Sequence, residues 1–131
     1  MIYLLDSNVV IGVLRGSPAA LVKKVWGHKR DDVAISSLVS HELYYWAWRS
    51  EYATRGIAGV DALPFEVVAF EHADARESGR VRAGLADSGQ TIGLMDVLIA
   101  GQALARGLVL VTHNVAEFGR VPGLRVEDWQ G

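Results

Sequence analysis

Three carboxylates in this chain, Asp6, Glu42 and Asp96, sit where their neighbours argue for burial. Asp6 ends the apolar run Met1-Ile2-Tyr3-Leu4-Leu5. Glu42 has Leu38 and Val39 one helical turn before it, and Tyr45 and Trp46 one turn after. Asp96 is the only charged residue between Thr91 and Ala105. A buried carboxylate is costly unless it is protonated, paired or bound to a cation. Three that converge would form an all-oxygen site of the kind Mg²⁺ and Mn²⁺ prefer, suited to hydrolysing a phosphodiester. Each acid also has an ordinary structural account. Asp6 fits a helix N-cap, Glu42 the polar side of an amphipathic helix, and Asp96 a first-turn acid favoured by the helix dipole. None of the four histidines falls in a zinc-ligand spacing, and no side chain stands out as a dedicated nucleophile. His41 adjoins Glu42 but points about a third of a turn away, and His113 is a weaker candidate for touching substrate.

The elements that would position these residues alternate between short β-like runs and longer helices. Ile2 to Leu5 is predicted as a buried strand, followed by a helix over Asn8 to Leu14 that Gly16 stops. Ser17-Pro18 suits an N-cap and first helical position for a helix ending near Trp26. Val33-Ala34-Ile35 is the second strand, and Ser36-Ser37 can cap a helix over Leu38 to Arg49. A helix over Glu51 to Ala62, a short strand within Phe65 to Phe70 and a helix over His72 to Leu85 follow. A helix over Met95 to Ala105, closed by Arg106-Gly107, leads to strands at Leu108 to Val111 and Leu124 to Val126. This alternation predicts an α/β fold with a mostly parallel central sheet and helices on both faces. Three strands turn polar at Asp6-Ser7, Ser36 and Thr112, and ligands of open α/β sheets bind outside such carboxyl ends. Asp6 and Glu42 share that edge. The residue pattern leaves open whether Asp96, at the start of the helix before strand four, reaches it.

The 131 residues suit one domain with a real core, and half of them are hydrophobic, as in globular chains. No apolar run approaches a membrane span. The first residues lack a basic region ahead of an apolar one, so the expectation is a cytoplasmic protein. The absence of cysteine excludes disulfides and thiolate metal sites. A net charge of −2 lacks the basic footprint of a nucleic-acid binder, although bound divalent cations would reverse the local sign. Tyr44-Tyr45-Trp46-Ala47-Trp48 wraps aromatics around more than half of one helix and suggests a partner surface. Arg76, Arg80 and Arg82 recur on another helix, where a solvated face is the simpler account than phosphate binding.

Four stretches together resemble the PIN-domain ribonucleases, specifically the VapC toxins of bacterial toxin–antitoxin modules. They are Tyr3-Leu4-Leu5-Asp6-Ser7-Asn8-Val9-Val10-Ile11, Ser36 to Leu43, Ile92 to Ala100, and Val111-Thr112-His113-Asn114 with Glu117-Phe118, Arg120 to Leu124 and Asp128-Trp129. The resemblance spans nearly the whole chain. It implies a single PIN domain over residues 1–131, a three-layer sandwich. It also implies an Mg²⁺- or Mn²⁺-dependent endoribonuclease that cuts RNA, with tRNA a candidate target, and so inhibits translation. A cognate VapB-like antitoxin, a homodimer and a larger toxin–antitoxin complex are the implied partners. By position, Asp6, Glu42 and Asp96 would hold metal. A fourth acid of many relatives falls at Asn114, an amide here, and Glu117 lies three residues on as a substitute. Ser7 and Thr112 would orient ligands or phosphate. Leu94 stands where relatives often have proline. Two rivals compete with this expectation. A catalytically impaired PIN domain would bind RNA or antitoxin without cutting. A haloacid-dehalogenase-like phosphatase would want an aspartate where Asn8 stands.

Overall fold

A computed structural model describes residues 1–130. Its elements run β1 (Tyr3–Leu5), α1 (Ser7–Arg15), α2 (Ala19–Gly27), β2 (Val33–Ser36), α3 (Ser37–Arg49), α4 (Ala53–Asp61) and β3 (Glu66–Val68). Then follow α5 (His72–Asp87), α6 (Leu94–Arg106), β4 (Val109–Val111), α7 (Val115–Phe118) and β5 (Val126–Glu127). The strands form one sheet in the order β3-β2-β1-β4-β5, and every pairing is parallel. Tyr3 to Leu5 lies between Val33 to Ile35 on one side and Val109 to Val111 on the other.

Right-handed crossovers dictate where the helices go. The chain walks from β1 to β2 to β3 in one direction, so α1 to α4 cover one face. It then crosses back to β4 and β5, which puts α5 and α6 on the other. The contacts agree: α1 packs on α2 and α3, α3 packs on α4, and α5 packs extensively on α6. The middle strands are sealed on both faces, with Leu4, Leu5, Ala34, Leu110 and Val111 fully buried. Trp129, also buried, stacks on His28 and meets Tyr3 edge-on, which fastens the C-terminal stretch to the sheet.

The predicted α/β sandwich therefore stands, with a wholly rather than mostly parallel sheet. Gly16 and Gly107 end α1 and α6 with φ of 74° and 64°, a conformation open to glycine. Several boundaries differ. Pro18 is the N-cap rather than the first helical residue, because its ψ of 150° is extended. Ser17 lies one residue before that cap, its N–H donating to Gly12 O of α1 at 3.0 Å. The last strand lies at Val126–Glu127, beyond the predicted Leu124 to Val126. Its register is set by Leu110 N–H donating to Arg125 O and Thr112 N–H donating to Glu127 O. Helix α7 was not anticipated.

α5 and α6 run antiparallel. Arg106 at the end of α6 pairs with buried Asp74 at the start of α5, 2.9 Å away. Midway, Gly101 lies so close to α5 that a Cβ there would meet Ser78 Cα at 2.4 Å. Because α6 carries Asp96, this contact also sets one wall of the carboxylate cluster. Gly101→Ala should lower stability by about 2 kcal/mol through overpacking, read from urea denaturation. A variant as stable as the parent would mean that the two helices separate freely.

Candidate active site

The direction in which the chain fills the sheet reverses at β1, so the carboxyl ends of β1 and β4 diverge into a crevice. Asp6 is the first residue beyond β1 and Thr112 the first beyond β4. Asp6 is only 4 % exposed. It caps α1, accepting from Ser7 N–H at 2.8 Å, so the structural reading of this residue holds alongside any functional one. Its other oxygen accepts from the Thr112 hydroxyl at 2.8 Å and from Asn8 Nδ2 at 3.1 Å. Burial raises the Asp6 pKa, and these donors partly offset the shift.

Thr112 is fully buried and works in several directions. Besides donating to Asp6, its hydroxyl accepts from Asn114 N–H at 3.1 Å and from Asn8 Nδ2 at 3.3 Å. Asn8, which the sequence gives no site role, links three points. Its carbonyl oxygen also accepts from His113 N–H, tying the loop after β4 to the first turn of α1. The spacing of an amide two residues after a strand-end acid is the signal that could have marked it. His113 turns its ring toward Asp128, 3.0 Å away, and so lies at the β5 side of the mouth.

Glu42 projects from the second turn of α3, whose start is fixed by Ser36 Oγ accepting from Leu38 N–H. Its Oε1 is buried and without a hydrogen-bond partner. Burial and the negative charge of Asp6 both raise its pKa, while the Ser7 hydroxyl opposes the rise. An acceptor left buried without a donor costs on the order of 1–3 kcal/mol. That cost marks a place where a cation or a protonated group would be stabilising.

Asp96 reaches the same edge, and no unusual orientation is needed. α6 leads directly into β4 through Gly107, and it packs antiparallel to the strand that follows it. Its first turn therefore lies at the strands' carboxyl ends. Leu94, in place of proline, begins the helix without disturbance, since the first helical N–H needs no intrahelical partner. Burial, the neighbouring Glu117 carboxyl, and the charges of Asp6 and Glu42 together push Asp96 up to about 7. Glu117 on α7 moves the other way, lowered first by its contact with Asp96 and next by Asn114. Asn114 donates Nδ2 to Glu117 Oε2 at 2.6 Å. Asn114 thus aims an acid at the cluster, and Glu117 brings the fourth carboxylate. Asp96 and Glu117 thus shift in opposite directions because their carboxyl groups are in contact.

Among the described residues no three His, Asp or Glu side chains already close around one ion-sized point. The donor set nevertheless fits a hard divalent cation. Mg²⁺ commonly takes only one or two carboxylates and keeps several waters. Asp6, Glu42, Asp96 and Glu117 offer oxygen alone, and the unpartnered Glu42 Oε1 is free to bind.

Comparison with known proteins points the same way. The PIN domain profile matches residues 3–124. The tRNA(fMet)-specific endonuclease VapC of Shigella flexneri is 37% identical over 129 residues, 97% of each chain. The solved structure of DNA-bound VapBC from Salmonella typhimurium superposes with a TM-score of 0.93 at 36% identity, covering 98% of both chains. VapBC2 of Rickettsia felis, bound to a promoter DNA fragment, gives 0.90 at 31% identity, covering 98% of this chain and 99% of that one. With the fold, the motif positions and the full-length similarity in agreement, this chain belongs to the PIN-domain family, among the VapC ribonucleases.

Proposed function

We propose that this chain is an Mg²⁺- or Mn²⁺-dependent endoribonuclease, the toxin of a toxin–antitoxin pair. The observation that carries this reading is the convergence of Asp6, Glu42, Asp96 and Glu117 at the β1/β4 crevice, with Glu42 Oε1 buried and unpaired. A divalent cation bound there would lower the pKa of a coordinated water and balance phosphate charge. The chain's own residues supply alignment. Thr112, Asn8 and the Ser7 N–H fix Asp6 so that it does not reorient when the cluster is loaded. Glu42 and Asp96 face Asp6 from opposite layers of the sandwich. Asn114 holds Glu117 against Asp96 and so would keep a fourth carboxylate at the site. The contact of Glu117 with Asp96 supports a cutting enzyme over a catalytically impaired domain that only binds RNA or antitoxin.

RNA as the substrate, with tRNA as a specific class, is supported by the Shigella flexneri relative, named a tRNA(fMet)-specific endonuclease. A VapB-like antitoxin is supported by the VapBC structures. The homodimer belongs to the same proposal, and light scattering should return twice the 14.2 kDa chain mass. Among the described residues no helix is long and apolar enough to cross a membrane.

The purified chain should cleave RNA in Mg²⁺ or Mn²⁺ and stop in EDTA. Asp96→Asn should lose at least about a hundredfold in rate with its fold intact by circular dichroism. Full activity of that variant, or cleavage that survives EDTA, would sink the assignment. Cation binding should also relieve the crowding of the acids. Adding Mn²⁺ should raise the melting temperature of the parent chain by several degrees and that of Asp96→Asn by less. Equal shifts in both would place the ion elsewhere.

A further inference from the structure

Two helices leave the carboxylate cluster side by side, and each carries a regular stripe. On α1 the stripe is Ser7, Ile11 and Arg15; on α3 it is Glu42, Tyr45 and Arg49. These spacings of three and four residues keep each set on one helix face. Between them runs a hollow of about 360 Å³ that touches the cluster at Ser7 and Glu42 and is bounded by Ile11, Tyr45 and Met95. Tyr45 is shared with a second, outer hollow of about 590 Å³ lined by Arg15, Trp46 and Arg49. The two form one trough. It starts at the Glu42 edge of the carboxylate cluster and ends, about 10 Å along α3, at two arginines.

The chemistry of the outer end is specific. Tyr45 is 60 % exposed and Trp48, one turn from it, 69 %. The Arg15 guanidinium lies 5.9 Å from the Trp46 ring centre and that of Arg49 6.0 Å from the Tyr45 ring centre. Arg80 is engaged with Glu77, Arg106 with Asp74, and Arg120 and Arg125 with backbone carbonyls. Among the described residues, Arg15 and Arg49 pair with no carboxylate, as do Arg30, Arg55, Arg76 and Arg82, but only Arg15 and Arg49 line this trough. Free guanidinium groups set beside exposed aromatic faces form the surface that single-stranded nucleic acid uses, phosphates on the cations and bases on the rings. An acid-lined site cannot attract a polyanion by itself, so binding charge has to lie outside it.

We infer that this trough carries the single-stranded RNA flanking the cleaved phosphodiester, with Arg15 and Arg49 on its phosphates and Tyr45 under a base. The inference rests on the nuclease reading for its substrate, and it adds the path and the residues that hold it. Arg15, Arg49 and Tyr45 bind and position the strand and take no part in bond breaking.

The test uses the full chain carrying Asp96→Asn, so that RNA survives, and a short fluorescein-labelled single-stranded RNA in magnesium buffer. Adding Arg15→Gln with Arg49→Gln should weaken binding at least about tenfold and reduce the slope of log affinity against log salt by about 1.4, the value for two lost phosphate contacts on a single strand. Arg15→Lys with Arg49→Lys should restore the slope. Tyr45→Ala should weaken binding about tenfold, while Tyr45→Phe, which keeps the ring, should not. Unchanged affinity and salt slope in the glutamine pair, at unchanged melting temperature, would overturn the path and leave the trough to a protein partner. Equal loss in Tyr45→Phe and Tyr45→Ala would overturn the stacking contact. Failure of the unaltered chain to cleave RNA with metal is a separate result. It strikes the nuclease reading, while the binding comparison still decides the path.

Discussion

Asp6 is a carboxylate buried at the one point where the sheet's two halves part, and that placement has to be made tolerable before anything else can assemble. Three donors make it so: the Ser7 N–H, the Asn8 amide and the Thr112 hydroxyl. These come from the start of α1 and the end of β4, which are adjacent in space and far apart in sequence. Stabilising the acid therefore also ties the β1–α1 turn to the β4–α7 turn. Thr112 then passes the constraint on, because the hydroxyl that donates to Asp6 also accepts from Asn114 N–H, and the Asn114 side chain fixes Glu117. A single buried charge thus organises the geometry of a second acid on a helix of only four residues.

The cluster is costly as well as organised. Asp6, Glu42 and Asp96 all have raised pKa values, and mutual repulsion contributes to the rise in each of the latter two. A scaffold that holds such groups together must be stiff where they attach. Here that stiffness comes from ordinary sources: Asp6 and Ser36 cap the helices that follow them, and Gly101 lets α6 seat closely on α5. Stability is given up at the crevice and recovered in the layers around it, the usual division between a site and its support.

Much of this was legible from residue types alone, for definable reasons. Asp6, Glu42 and Asp96 violate the local pattern, each being charged where apolar neighbours predominate, and the structure brings all three to one edge. The strands were legible because buried parallel strands read as short apolar runs. Asp96 was the harder case. Its own surroundings say nothing of helix direction, but a helix that feeds a parallel strand must begin at the carboxyl edge, so topology supplies what periodicity withholds. α7 was missed because four residues are too few to show a helical period. The exchange between Asn114 and Glu117 was undecided because it depends on α7: one turn brings the side chains three residues apart onto each other. Asn8 was hidden because its partners, Thr112 and His113, lie a hundred residues away in the chain. The aromatic run on α3 also divided: Tyr44 and Trp46 pack against the core, while Tyr45 and Trp48 face out.

The same structure explains why a net charge of −2 speaks neither for nor against a polyanionic substrate. Net charge matters to association only through the field it creates, and that field depends on arrangement. Here four carboxylates are drawn into one crevice, where a divalent cation would cancel or reverse their sign. Arg80 is neutralised by Glu77 beside it, and Arg106 by the buried Asp74. What remains uncompensated beside the crevice is cationic, Arg15 and Arg49, and both lie along a single trough that opens from it. On the proposed reading, an RNA strand approaching this face would meet positive charge at the trough and, with a cation bound, at the reacting phosphate as well. Electrostatic recognition would then be a property of two helix stripes and one loaded site, which the sum over the chain averages away.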